Sequence, residues 1–255
     1  MSRVLITGSS DGLGLTAARL LAAEGHAVIM HARNESRAAD VRSSLPSAGD
    51  MVIGDLETLD GMRLVAEQAN ALGRFDAVIH NAAVGSRHGR HVTKDGLEHI
   101  FAVNTLAPYV LTELIQMPSR LVYLSSNMHN SASGDLSDPQ WERREWNGSL
   151  AYSESKLFVV ALAFANAARR PDVGCNAVDP GWVATRMGGP GGSSDFVRGA
   201  ATQAWLAVSD DPAATVSGGY FRHQAQVRAN PAAYDADLQE GLLAYCAELS
   251  GTKES

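Results

Sequence analysis

Val4-Leu5-Ile6-Thr7-Gly8-Ser9-Ser10-Asp11-Gly12-Leu13-Gly14 passes from a short apolar run into a turn holding three glycines, and a helical pattern follows to about Ala23. The run reads as a buried strand. The glycines permit tight turning and close backbone approach, and the start of the helix offers free N–H groups to an anion. Strand, glycine-rich turn and helix together make a phosphate site whose natural guest is a dinucleotide, although such a turn also serves as a plain connector. The spacing, Gly-x-x-x-Gly-x-Gly, differs from the Gly-x-Gly-x-x-Gly fingerprint.

Working outward, strands are expected at 27–31, 51–54, 75–79, 120–124, 173–178 and 218–221. Helices are expected at 35–45, 59–72, 94–117, 197–208 and 235–249, and another follows Tyr152. No internal repeat or linker interrupts them. A chain of 255 residues with 45% hydrophobic content buries the core of one α/β domain. The net charge of -7, with no run of lysine or arginine, argues against a nucleic-acid partner. The longest apolar run, 157–165, is too short for a bilayer, and Met1-Ser2-Arg3 leads straight into a strand pattern. The expectation is a cytoplasmic protein with no membrane partner. Cys175 and Cys246 lie far apart without a second cysteine nearby, so buried free thiols are expected and no metal site is predicted.

The chemistry-bearing stretch is Leu150-Ala151-Tyr152-Ser153-Glu154-Ser155-Lys156. Tyrosine and lysine at this spacing share one helix face. A free phenol titrates at about 10, and a neighbouring ammonium that favours the phenolate lowers that value into a range useful for acid-base work. An aromatic ring packed under a lysine stem has the same spacing. After the second strand comes Ala32-Arg33-Asn34, where dinucleotide folds carry an acid for the ribose hydroxyls; an arginine there pairs with a 2′-phosphate instead. Arg33 therefore favours NADP(H) with NAD(H) possible, Asp11 opposes that phosphate, and a solvated loop charge is the plain alternative.

The glycine turn with its preceding Thr7, His80-Asn81-Ala82-Ala83-Val84, Val103-Asn104-Thr105, Ser125-Ser126, Tyr152 with Lys156, and Asp179-Pro180-Gly181 occur in this order along the chain. In that order and context the chain resembles the short-chain dehydrogenase/reductase family over almost its whole length, with His80 and Ala83-Val84 departing from the family's Asn-Asn-Ala-Gly. The resemblance implies a single-domain, Rossmann-like, doubly wound parallel sheet with helices on both faces, spanning 1–255. It implies catalytic roles for Asn104, Ser126, Tyr152 and Lys156, with Ser125 the alternative serine and Asn104 holding a water in a distorted helix. It implies cofactor contacts at Gly8, Ser10, Gly12, Leu13, Gly14, Arg33, Asp55, Leu56, Asn81, Ala82, Pro180, Gly181, Val183 and Thr185, as well as at Tyr152 and Lys156. Asp55 reads equally well as a helix cap.

The 127–149 segment is longer than most family members have and resembles the retinol-dehydrogenase-like branch. Lying between the serine and the tyrosine, it is expected to wall the substrate pocket, with Trp141 and Trp146 facing either substrate or core and Glu142-Arg143-Arg144-Glu145 facing water. The glycine-rich 188–196 segment is expected to act as a mobile lid or a connector. The implied activity is hydride transfer between NADP(H) and a small-molecule ketone, aldehyde or secondary alcohol, in a chain that is a possible homo-oligomer. The alternatives are a non-catalytic NADP(H)-binding redox sensor and, further off, a sugar-nucleotide epimerase.

Overall fold

Apolar runs too short for a helix and bounded by turn residues become the strands β1 (Arg3–Ile6), β2 (Ala27–Ala32), β3 (Met51–Ile53), β4 (Ala77–His80), β5 (Arg120–Leu124), β6 (Gly174–Asp179), β7 (Tyr220–Arg222) and β8 (Ala225–Val227). The structure, a computed structural model, describes residues 1–44, 49–86 and 89–252. The strands form one sheet in the order β3-β2-β1-β4-β5-β6-β7-β8. Pairing is parallel from β3 to β7, and β8 returns antiparallel at the edge. Strand β7 falls at the expected 218–221, whereas β8, which closes this edge hairpin, lies outside the expected pattern. Its turn places His223 and Gln224 at φ 50° and 60°, a region usually signalled by glycine or asparagine, and Gln224 N donates to Thr202 Oγ1.

The connecting segments are α1 (Gly12–Ala23), α2 (Glu35–Ser44), α3 (Leu59–Ala71), α4 (His99–Phe101), a π-helical turn (Ala102–Leu106), α5 (Ala107–Leu114), α6 (Gly148–Arg169), α7 (Phe196–Val208) and α8 (Ala236–Ser250). The expected end of α2 at Leu45 lies outside the described residues. The expected 94–117 helix begins only at His99, because Val92 and Glu98 form a bridge and Glu98 caps α4 through Ile100 N and Phe101 N.

Alternate strand residues point to opposite faces. Val4 and Ile6 pack with Ala17, Leu21 and Ala200 from α1 and α7, whereas Leu5 and Val78 pack with Val65, Leu106 and Val160 from the other helical layer. Each large aliphatic side chain so buried contributes about 1.5–3 kcal/mol relative to exposure. From Ser153 to Asn166, α6 is buried all round, between the sheet and α8. A helix this enclosed is a rigid mount. The order of strands reverses between β1 and β4, and the crevice beyond their carboxyl ends is where open α/β sheets take ligands.

Candidate active site

Hydrogen bonds tie the two walls of that crevice together. Thr7 Oγ1 accepts from Asn81 N and Ala82 N at 3.0 Å, and Asn81 Nδ2 donates to Thr7 O (2.9 Å) and Gly8 O (3.1 Å). Buried His31 braces the turn from behind, accepting at Nδ1 from Gly8 N (2.8 Å) with its Nε2 2.9 Å from Gly54 O. An amide N–H only donates, so Nε2 carries the ring proton. Burial holds the His31 pKa below its ordinary value and keeps this neutral form. Gly8 has φ +62°, and a Cβ there would lie 2.7 Å from Ala82 Cα; one on Gly14 would lie 2.5 Å from Asn81 Nδ2. Side chains at either position would fill the cradle.

Gly12 opens α1, while half-buried Ser10 and Leu13 flank the turn. Asp11 occupies the N-cap without a capping hydrogen bond, and the first turn holds no acid, which leaves helix N–H donors aimed at an incoming anion. The Asp11 carboxylate instead meets Arg37 at 2.9 Å and Arg186 at 3.2 Å. Two guanidinium groups thus offset the negative charge expected to repel a 2′-phosphate. Arg33 is exposed just beyond β2. Asp55 does not cap a helix: its Oδ1 accepts from Glu57 N, whereas Thr58 caps α3 by accepting from Gly61 N. The Leu56 side chain is buried in the core beneath.

Beyond β5, the two adjacent serines separate. Ser125 is buried and donates to Lys156 O at 2.8 Å, while half-buried Ser126 directs its hydroxyl to the Tyr152 phenol. Asn104 lies in the π-helical turn; its Oδ1 accepts from Val84 N (2.8 Å), and its Nδ2 donates to Val84 O and Ser155 Oγ, both at 3.0 Å. Ser155 Oγ donates in turn to Tyr152 O (2.8 Å), so Asn104 braces the helical turn carrying the phenol.

Lys156 Nζ donates to Leu124 O at 2.9 Å and lies 5.6 Å from the Tyr152 ring centroid. The phenol is raised and not lowered in this state, against the expectation from spacing. Burial pushes the Tyr152 phenol up to about 12, with the Ser126 hydroxyl pulling down and the Asp179 charge pushing up. Burial likewise lowers Lys156 to about 7 from 10.5. Between those values the unfolded chain binds a proton that the folded one does not, so the lysine's contribution is fully present above pH 10.5 and is lost as pH falls to about 7. Raising the pH from about 7 to about 9 therefore adds on the order of 2 kcal/mol. Lys156→Met removes that increment, which urea unfolding of both proteins at the two pH values measures; an equal increment in the variant refutes the assignment.

A family model described as short chain dehydrogenase matches residues 2–133. The chain is 39% identical over 258 residues to the short-chain dehydrogenase chyC of Penicillium rubens, covering 99% of each. It is 30% identical over 280 residues to human retinol dehydrogenase 13, covering 97% of this chain and 84% of that one.

The chain belongs to the short-chain dehydrogenase family.

It is an oxidoreductase with retinol-dehydrogenase-like relatives. A solved structure of an uncharacterized protein from Mycobacterium paratuberculosis matches with a TM-score of 0.84 and 26% identity, covering 100% of this chain and 95% of that one.

In this short-chain dehydrogenase, the segment after β6 crosses the crevice. Asp179 is buried, accepts from Gly181 N (2.9 Å) and lies 3.5 Å from Arg222 Nε; half-buried Pro180 and Gly181 follow it. Val183 is buried and bridged to Ser193, and the Thr185 methyl lies 3.4 Å from where a Cβ on Gly12 would be. Arg186 reaches Asp11, while a Cβ on Gly85 would meet Met187 Cγ at 2.9 Å. The segment is latched to both walls.

The 127–149 segment starts with a 3-10 helix (Asn127–Ser131). Its centre is fastened to α6 by a buried charge cluster. Arg144 donates to both oxygens of Glu154 (2.8 and 2.9 Å) and stacks 3.8 Å over the Trp141 ring, whose Nε1 also donates to Glu154 (3.0 Å). Asp138 accepts from the backbone N of residues 142, 143 and 144. Arg144 thus faces inward instead of toward water, and Trp141, 4% exposed, faces core and not substrate. Its Glu154 partner was visible in the quoted stretch around Tyr152, but nothing local pairs the two. His31, the Arg37–Asp11–Arg186 group and His129 likewise carried no sequence signal beyond their residue types. His80 is buried and hydrogen-bonded to Thr112 Oγ1 (3.0 Å), with burial lowering its pKa to about 3.

Proposed function

We propose that this oxidoreductase is NADP(H)-dependent and interconverts a ketone or aldehyde with the corresponding alcohol. The observation that carries the reading is Tyr152, facing Ser126 from a rigid helix that also bears Lys156, at the mouth of the crevice served by the glycine turn. The uncapped start of α1 and the Gly8 and Gly14 cradle fit a pyrophosphate. Asn81 and Ala82 hold the opposite wall, Arg33 pairs with a 2′-phosphate, and Asp55 and Leu56 border the adenine. Lys156 holds the nicotinamide ribose, while Pro180, Gly181, Val183 and Thr185 border the nicotinamide. When bound, the nicotinamide supplies or accepts the hydride.

Ser126 donates a hydrogen bond to the substrate oxygen and orients it toward Tyr152. In reduction the phenol gives that oxygen its proton; a pKa of about 12 keeps the phenol protonated at neutral pH, the form that donates. Asn104, in its π-helical turn, supports a water that passes a proton to Lys156 and restores the phenol. The latched 182–193 loop acts as a lid that excludes water, and the 127–149 segment is a fixed wall of the pocket. Exposed Met128 next to Ser126, with Trp182 and Met187 on the loop, gives the entrance an apolar rim that suits a bulky apolar substrate.

The test is a panel of aldehydes, ketones and alcohols followed by nicotinamide absorbance with each cofactor. Turnover with NADPH and weaker turnover with NADH is expected. Arg33→Ala weakens NADPH binding on the order of 10-fold, the size of one charge-assisted contact, and leaves NADH binding unchanged. A parent that prefers NADH, or a variant that keeps its NADPH preference, removes Arg33 from this role; cofactor binding without turnover of any compound favours a sensor.

A further inference from the structure

His129 lies outside the groups assigned above, yet both of its ring nitrogens are engaged within a fully buried site. Nε2 accepts from the backbone N of Asn230 at 2.9 Å. That amide can only donate, so the ring proton is on Nδ1, which lies 2.8 Å from Ser126 O and donates to it. The His129 backbone N also donates to Ser126 O, at 3.0 Å. Asn230 closes the arrangement, its Nδ2 donating to His129 O (2.9 Å) and Ala132 O (2.8 Å) while its Oδ1 accepts from Ala232 N (3.0 Å). The Tyr220 ring lies against His129, its hydroxyl 3.4 Å from Nδ1.

Ser126 needs this support because of where it stands. It follows β5 in extended conformation (φ -160°, ψ 150°), and its hydroxyl, which faces the Tyr152 phenol, has a long backbone contact with Met128 N at 3.3 Å. The serine's side chain is left available, and its direction is set by the peptide group to which His129 is bonded. An oxygen-binding donor held by a second partner keeps its aim without reorganising during reaction.

We infer that His129 is a positioning residue: in its Nδ1–H form it orients Ser126 toward the substrate oxygen and couples that aim to Asn230 in the C-terminal segment. The inference rests on the proposed role of Ser126, and its test separates the two.

The first measurement needs no substrate. Long-range proton–nitrogen correlation spectra of histidine-labelled parent protein at neutral pH, assigned with His129→Asn, are expected to show His129 neutral and protonated at Nδ1. An Nε2–H or doubly protonated ring overturns the inference even where no turnover has been found. The second measurement follows NADPH oxidation with 4-nitrobenzaldehyde. His129→Asn keeps a donor near the Nδ1 position, whereas His129→Gln keeps an acceptor near Nε2 and His129→Leu keeps neither. His129→Asn is expected to retain kcat within about 3-fold, and the other two to lose about 10-fold or more, with the KM for NADPH nearly unchanged throughout. Equal kcat losses in the asparagine and glutamine variants, or losses that track thermal stability alone, overturn it. A parent with the Nδ1–H ring that binds NADPH but reduces no carbonyl defeats the oxidoreductase mechanism and with it the link to catalysis, leaving a tautomer with no substrate to aim at.

Discussion

Tyr152→Phe lowers turnover on the order of 100-fold or more, the usual scale for losing a positioned proton donor, while NADPH affinity stays within about 2-fold. The substitution removes one oxygen and keeps the ring, so packing on α6 is undisturbed and the melting temperature barely moves. Ser126 still holds the substrate oxygen, and Asn104 with Ser155 still braces the helical turn, since those bonds go to the Tyr152 backbone. What disappears is the phenol that meets the Ser126 hydroxyl. Steady-state kcat on a confirmed carbonyl, with NADPH affinity from fluorescence, checks the expectation. Near-parent turnover in the variant removes Tyr152 from the chemistry, and an equal collapse of cofactor binding makes its role structural.

Trp141→Ala destabilises the fold by about 3–5 kcal/mol, the range for truncating a buried large aromatic. Two losses combine. The ring packs against Ile100, Ala151 and Trp146, and its Nε1 is one of the donors hydrogen-bonded to buried Glu154. Removing it opens a cavity and strips a hydrogen bond from a buried carboxylate, leaving Arg144 without the ring on which it stacks. A melting temperature lower by about 6–20 °C is expected for a domain of this size. Because the ring faces core, specificity constants for small and bulky carbonyls fall by the same factor. A loss confined to the bulky substrate, with stability kept, makes Trp141 a substrate contact and contradicts the packing.

The sequence by itself determined the succession of strands from β1 to β7, the glycine turn and the elements that bear Asn104, Ser126, Tyr152 and Lys156. These were legible because they are local: strand and helix periods, Gly8 at positive φ and the four-residue step between tyrosine and lysine all act within a few residues. Tertiary structure decided what those groups meet. Asp11 reads as a lone acid beside a phosphate site until Arg37 and Arg186 arrive from α2 and the crossing loop. Glu142-Arg143-Arg144-Glu145 reads as a solvated run until Glu154 draws Arg144 inward. The lysine beside Tyr152 suggests a lowered phenol, yet burial outweighs it, because removing charge from water costs more than a cation beyond hydrogen-bond reach returns. His129 carries no local pattern at all, and its partner Asn230 is 101 residues away. Helix and strand periods record only which side of an element is apolar; desolvation and pairing energies depend on what the rest of the chain packs against that side, and they exist only once it has folded.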